Sequence, residues 1–201
     1  MKILTLVIGP LRNNCFIISG NGKDAVIIDP AGQYPTIKNK LEESGLTGRL
    51  SVLLTHAHFD HIGAVSRFQS DGAEVYLHSD DEDKIAVQPF GMKIASFTPD
   101  KILEDGQILN LANLNIKIIH TPGHTSGSVC FLINDMLFSG DTLFLNSVGR
   151  WDFPSGNFMQ LEKSIRERIY TMAAETKVFP GHGEKTTVGH EIINNEIIKN
   201  A

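Results

Sequence analysis

The 201-residue chain has only two cysteines, Cys15 and Cys130, which excludes a disulfide-stapled scaffold. Both sit in apolar stretches and read as buried, reduced thiols. No apolar run is long enough to cross a bilayer, which argues against a membrane partner. The run over residues 3–8 stops at Gly9-Pro10, too short for the apolar core of an export signal. The expectation is a soluble, cytoplasmic protein. An excess of positive charge is missing too: Lys plus Arg is 18 against 23 for Asp plus Glu, a net charge of −5. That balance, with no basic cluster, argues against a nucleic-acid partner. Repeats, low-complexity tracts and linkers are absent. What is present is a composition of 41% hydrophobic and 20% charged residues, that of a globular chain with a sizeable core. The length fits one domain over residues 1–201.

Short apolar runs bounded by turn residues predict strands over 3–8, 15–19, 25–29, 50–54, 75–77, 108–109, 116–119, 129–133, 136–138 and 178–179. Asn21-Gly22 and Asn134-Asp135 mark tight turns. The run 50–54 is apolar almost throughout, as expected of a strand buried on both faces. Pro35 opens a helical pattern with Ile37 and Leu41 on one face, stopped by Gly45. Residues 62–68 are helical in spacing. So is the stripe Phe158, Leu161, Ile165, Ile169 and Met172. A closing helix is expected over 188–199, with Ile192, Ile193 and Ile197 in the core. Ser79-Asp80 reads as the cap of a short acidic helix. Residues 88–99 have no period and are expected to form a mobile loop shaping the substrate cleft. Strands in both halves with helices between them suggest two sheets with helices outside.

After run 50–54 comes Thr55-His56-Ala57-His58-Phe59-Asp60-His61, that is His-x-His-x-Asp-His. Four metal-ligand side chains are packed into six residues, where a strand end opens into a crevice. In an extended segment His56 and His58 point the same way and can grip one ion. Asp60 and His61 turn towards a neighbouring point as a helix starts. Imidazole and carboxylate together suit borderline divalent ions. Three further segments repeat one design: Thr121-Pro122-Gly123-His124, Ser139-Gly140-Asp141 and Phe179-Pro180-Gly181-His182-Gly183. In each an apolar strand ends, a glycine bends the chain, and a ligand-type residue is presented.

The set His56, His58, Asp60, His61, His124, Asp141 and His182 resembles that of the metallo-β-lactamase superfamily. The likeness runs from about residue 3 to about residue 199 and includes an early Asp29 after a strand. It implies an α/β fold, an αββα four-layer sandwich with two divalent ions at the sheet edges. Zinc is the first choice, and iron or manganese accept the same ligands. By the family's pattern His56, His58 and His124 bind the first ion, and Asp60, His61 and His182 the second. Asp141 bridges them. Asp60 and Asp141 are the carboxylates expected to serve catalysis. Asp29 is either a brace for the His-rich loop or a polar strand end. Two such ions hold a hydroxide between them near neutral pH and polarise a carbonyl. A thiolate, with a thiol pKa of about 8.5, leaves without much acid help.

Within the superfamily, the chain looks most like glyoxalase II-type enzymes, the hydroxyacylglutathione hydrolases, in their short bacterial branch. Gly9-Pro10-Leu11-x-Asn13-Asn14-Cys15, Gly140-Asp141-Thr142-Leu143-Phe144 and Gly149-Arg150-Trp151-Asp152-Phe153-Pro154-x-Gly156 carry that likeness. It implies a small-molecule thioester as substrate. Arg150 either faces a substrate carboxylate or braces its loop through Asp152. The helical domain that supplies glutathione contacts in full-length glyoxalase II has no counterpart in this sequence, so those contacts are not carried over. The rival is a persulfide dioxygenase, using one iron on His56, His124 and Asp141. Gly181-His182-Gly183-Glu184 looks more like the hydrolase branch. A third reading, a protein that only holds metal, fits less well, because seven ligands for two ions leave positions for water. His78, His120 and His190 belong to no motif.

Overall fold

The computed structural model describes residues 1–199. The first sheet has the order β1 (Lys2–Ile8), β2 (Asn13–Ser19), β3 (Ala25–Ile28), β4 (Leu50–Leu53), β5 (Glu74–His78) and β6 (Lys101–Leu103). Its first three strands pair antiparallel and the rest parallel. In the second half come β7 (Ile108–Leu111), β8 (Leu114–His120), β9 (Val129–Ile133), β10 (Met136–Gly140), a small hairpin of β11 (Leu143–Phe144) and β12 (Ser147–Val148), then β13 (Lys177–Pro180) and β14 (Thr186–Thr187). The second sheet runs β7-β8-β9-β10-β13-β14, with β10 and β13 parallel. The helices are α1 (Tyr34–Glu43), α2 (Phe59–Ile62), α3 (Val65–Ser70), α4 (Phe158–Ser164) and α5 (Val188–Asn194).

Three apolar layers hold these elements together. Phe16, Ile18, Ile28 and Leu53 meet Ile118, Phe131 and Phe138 between the sheets. There Phe138 stacks on Phe179 with ring centroids 4.9 Å apart. On the outer face of the first sheet, Ile27, Val52 and Leu54 cover Ile37, Leu41 and Phe68 from the helices. On the far side, Cys130, Leu137 and Val178 meet Leu161, Ile165 and Ile169. Helix, sheet, sheet, helix is the expected αββα order. Strand β4 and the residue after it contribute to two layers, Val52 and Leu54 outward and Leu53 inward, which is why the run lacks alternation. Both cysteines are free and buried. Burial raises both thiol pKa values, that of Cys130 to about 11.

Several expectations are corrected. The pattern over 62–68 is two short helices, α2 and α3, broken at Gly63-Ala64. A Cβ on Gly63 would collide with the Ala31 carbonyl oxygen, so the chain turns where it packs closest. Ser79-Asp80 does not cap an α-helix. Residues Ser79–Ile85 form a 3-10 helix capped by the preceding His78, whose Nδ1 accepts from the Asp80 amide at 3.3 Å. The closing helix stops at Asn194. Asn195 is extended, and its Oδ1 accepts from the amides of Ile197 (3.1 Å) and Ile198 (2.9 Å). That turn leaves Ile193 80% and Ile197 40% exposed and puts Ile198 in the core instead. Segment 88–99 keeps its expected place at the cleft, which Phe90 lines, while Gln88 Nε2 donates to the Ala57 carbonyl at 2.9 Å and Phe97 packs in the core.

Candidate metal centre

The seven ligand-type residues come together at one edge of the sandwich. His56 and His58 follow β4, and Asp60 and His61 lie in α2. His124 follows β8, Asp141 follows β10, and His182 follows β13. Glycines make the approach possible. A Cβ on Gly181 would collide with Asp141 Oδ1, and one on Gly123 (φ 139°) with the backbone of Leu161 in α4.

The hydrogen bonds decide which face of each ring looks inward. His124 Nδ1 lies 2.6 Å from the Arg150 carbonyl oxygen, and His182 Nδ1 lies 3.0 Å from that of Leu11. A carbonyl only accepts, so both Nδ1 atoms carry the proton. His61 Nδ1 donates to Asp29 Oδ2 at 2.9 Å. Thr55 gives its hydroxyl proton to the same Oδ2, so its Oγ1 accepts from His56 Nδ1 at 3.1 Å. When these rings are neutral, all four Nε2 atoms are bare and point at the centre.

There the bare atoms meet each other. His124 Nε2 is 3.1 Å from His56 Nε2 and 2.9 Å from His58 Nδ1. His182 Nε2 is 3.1 Å from Asp60 Oδ2, and His61 Nε2 is 3.3 Å from Asp141 Oδ1. Asp141 lies between the two groups, its Oδ2 being 3.6 Å from His124 Nε2 and 3.7 Å from His182 Nε2. Among the described residues its buried Oδ1 has no hydrogen-bond partner. Lone pairs facing lone pairs repel unless a cation stands between them. Two adjacent groups of nitrogen and carboxylate oxygen therefore fit two divalent ions, which is the chemistry such donor sets serve.

The two halves differ in charge. Burial pushes His56 and His124 down, and takes His58 to about 3. These three rings are neutral at pH 7. Burial also opposes charge on His61, but Asp141, Asp60 and Asp29 outweigh it and hold its pKa well above the usual range. For His182, burial is outweighed by the hydrogen bond to Asp60 and the charge of Asp141. Burial works against ionised Asp60 and Asp141, and His61 next to both outweighs it, so both stay ionised.

The model of the metallo-beta-lactamase superfamily matches residues 8–182. The chain belongs to the metallo-β-lactamase superfamily. Hydroxyacylglutathione hydrolase GloC of Haemophilus influenzae is 35% identical to it over 98% of both chains. The crystal structure of BLEG-1 B3 metallo-beta-lactamase is similar at 32% identity and a TM-score of 0.92, over 99% of this chain and 100% of that one. TTHA1623 in a di-iron-bound form is similar at 35% identity and a TM-score of 0.85, over 96% and 98%. The expected fold is thus the fold of this superfamily member, and its relatives support a metal-dependent hydrolase.

The cluster of seven ligand-type residues is held in place by others. Asp29, 1% exposed, accepts from the Thr55 amide (2.8 Å), the Thr55 hydroxyl (2.6 Å) and His61. It is the brace of the His-rich loop. Asp81 was missed. It is fully buried and accepts from the amides of Ala57 and Gly127 and the hydroxyl of Thr125, each at 2.9 Å, so it joins the two loops that carry His58 and His124. Its only sequence signal was an acidic residue in a run of four. Asn13 Nδ2 sits 2.9 and 3.0 Å from the two ring nitrogens of His61, and so is aimed at neither lone pair. Asn14 Nδ2 donates to the carbonyls of Pro180 (2.9 Å) and Gly183 (3.0 Å), tying the first loop to the turn of His182. Arg150 braces its loop: Nε and Nη2 bond Asp152 at 2.9 and 2.8 Å. His120 stacks on His78, ring centroids 4.2 Å apart. His190 lies at the surface against Asn146. Among the described residues, no helix is long and apolar enough to cross a membrane.

Proposed function

We propose that this protein hydrolyses small-molecule thioesters at a centre of two divalent ions, zinc by preference, with hydroxyacylglutathione-like compounds the first to test. The observation that carries the reading is Asp141 lying between two ligand groups beneath an open cleft of about 530 Å³. His56, His58 and His124 would hold one ion, Asp60, His61 and His182 the other, and Asp141 would join them. When bound, the ions supply a water activated near neutral pH and a Lewis acid for the carbonyl. The protein's part is positioning. The carbonyls of Arg150 and Leu11, Thr55 and Asp29 fix four ring orientations. Asp60 and Asp141 stay ionised at the cleft floor and orient the attacking water. Attack forms the C–O bond and breaks the C–S bond. The sulfur departs as thiolate, so no residue is needed to protonate it. The name of the GloC relative supports the same class.

The test is hydrolysis of S-D-lactoylglutathione and of a simple acyl thioester by zinc-loaded protein, before and after chelator. Chelator-sensitive cleavage of either is expected. Failure to cleave any thioester with two ions bound would sink the reading. Oxygen uptake with glutathione persulfide by iron-loaded protein would then favour the one-iron alternative on His56, His124 and Asp141, which leaves Asp60, His61 and His182 without a role.

A further inference from the structure

The walls of the cleft are apolar and largely aromatic: Leu11, Phe59, Phe90, Phe144, Val148 and Phe153. A phenyl ring flanks each half of the centre. Phe153 stands edge-on to His58 at 5.1 Å between centroids, and Phe144 edge-on to His182 at 6.0 Å. Phe90 extends the first wall, edge-on to Phe153 at 5.9 Å. It is 75% exposed and held at φ 58°, ψ 19°, a left-handed conformation that bulky residues rarely adopt. A phenyl ring in water on a strained backbone is doubly unfavourable for the free protein, and such strain is typical of ligand clamps. Leu11, 53% exposed, forms the opposite rim, and its carbonyl holds His182.

Apart from Arg150, the charged and ligand-type residues of the cleft lie at its floor: His58, Asp60, His124, Asp141 and His182. Among the residues that line it, Arg150 is the one permanent cation. Its guanidinium is bound side-on to Asp152 and lies 4.4 Å over the Phe153 ring. A glutathionyl group carries two carboxylates and an ammonium. In this cleft they would leave water for phenyl rings and an arginine already neutralised. An apolar group would instead cover rings that now stand in water.

We infer that the cleft recognises uncharged, apolar groups on both sides of the reacting carbon, aromatic or branched aliphatic in kind. Resting on the thioesterase reading, the preferred substrates are apolar acyl thioesters of apolar thiols rather than thioesters of glutathione. Phe90 and Phe153 contact the group on the His58 side, Phe144 and Leu11 the group on the His182 side.

Two measurements on the zinc-loaded full chain test this. The first compares kcat/KM for S-phenylacetyl-N-acetylcysteamine, S-phenylacetylglutathione and S-D-lactoylglutathione. The second measures binding of phenylacetate and of lactate by calorimetry, which needs no turnover. The phenylacetyl ester of the small thiol is expected to exceed lactoylglutathione by about tenfold or more, with phenylacetylglutathione between them. Phenylacetate is expected to bind about tenfold tighter than lactate. Both ratios fall several-fold in Phe90→Ala, and the substrate ratio also in Phe144→Ala. Ratios are read rather than rates, so a general loss of activity does not mimic the effect. Preference for lactoylglutathione, or ratios indifferent to both variants, overturns the inference and leaves the thioesterase reading standing. If no thioester is cleaved, that reading falls by itself, and the binding ratio still decides the cleft: equal affinities overturn the inference.

Discussion

Once its ring is neutral, each inward-facing Nε2 is bare because the opposite nitrogen of the ring is committed to an acceptor: Arg150, Leu11, Asp29 or Thr55. Partners of this kind set ligand orientation and basicity. The ligand-type residues themselves were legible in the sequence because their density between His56 and His61 has few other uses. Asp81 and the Arg150 carbonyl were not, since a buried acceptor leaves no composition signal and a backbone atom leaves none at all. Asp141 is the residue both halves share. Asp141→Asn is expected to lower bound metal from two ions to one by elemental analysis and to cut kcat by more than about 100-fold. Two retained ions with full turnover would remove its joining role. The charge asymmetry gives a second expectation. His56, His58 and His124 have lowered pKa values and are already deprotonated at pH 7, so the first ion displaces no proton there. His61 has a raised pKa and holds a proton until the second ion takes its place. His182 is raised too, so titration in buffers of differing ionisation enthalpy should show between one and two protons released with the second equivalent and almost none with the first. The second affinity should therefore weaken as pH falls below neutral, and the first should hold down to the more acid range.

The elements deliver these residues by ending in the right place. Strands β4, β8, β10 and β13 all give way to ligand-bearing turns at the same edge. The longer strands and their turns could be read from apolar runs and from pairs such as Asn134-Asp135. Strands β11, β12 and β14 could not, because two residues have no period. The stripe from Phe158 to Met172 gave the right buried face, yet residues Ile165–Ile169 form a π turn, which spacing of three and four does not distinguish from α. Helix α4 has a further task. The Gly123 carbonyl accepts from the Asn157 amide at 2.8 Å, and Gly123 lies directly on the backbone of Leu161. The loop of His124 is thus strung against a helix start. Gly123→Ala would force the two apart and strain φ. It is expected to cost about 1–3 kcal/mol in denaturant unfolding and to weaken the first ion, the one that needs His124. Unchanged stability and metal content would show that α4 does not position His124.

At the scale of the molecule, the site sits on a scaffold that does not need it. The three apolar layers draw on residues such as Phe16, Ile27 and Leu137, none of which touches the ligand atoms. Layer order was legible because strands run through both halves with helices between them, which suggests two sheets with helices outside. The meeting of β4 with β8, β10 and β13 across two sheets was not, because pairing between distant strands leaves no local pattern. Metal stripping then has a bounded effect. Each ion at about 1,000 times its dissociation constant stabilises by about 4 kcal/mol, so two contribute about 8 kcal/mol. In a chain of this size each kcal/mol moves Tm by about 2–4 °C. Chelation of both should lower Tm by roughly 16–32 °C while the far-ultraviolet circular dichroism at 25 °C stays unchanged. Loss of the spectrum on chelation would mean that ion binding drives folding of the whole chain, as it does in small metal-dependent domains. The apolar scaffold would then depend on the charged edge.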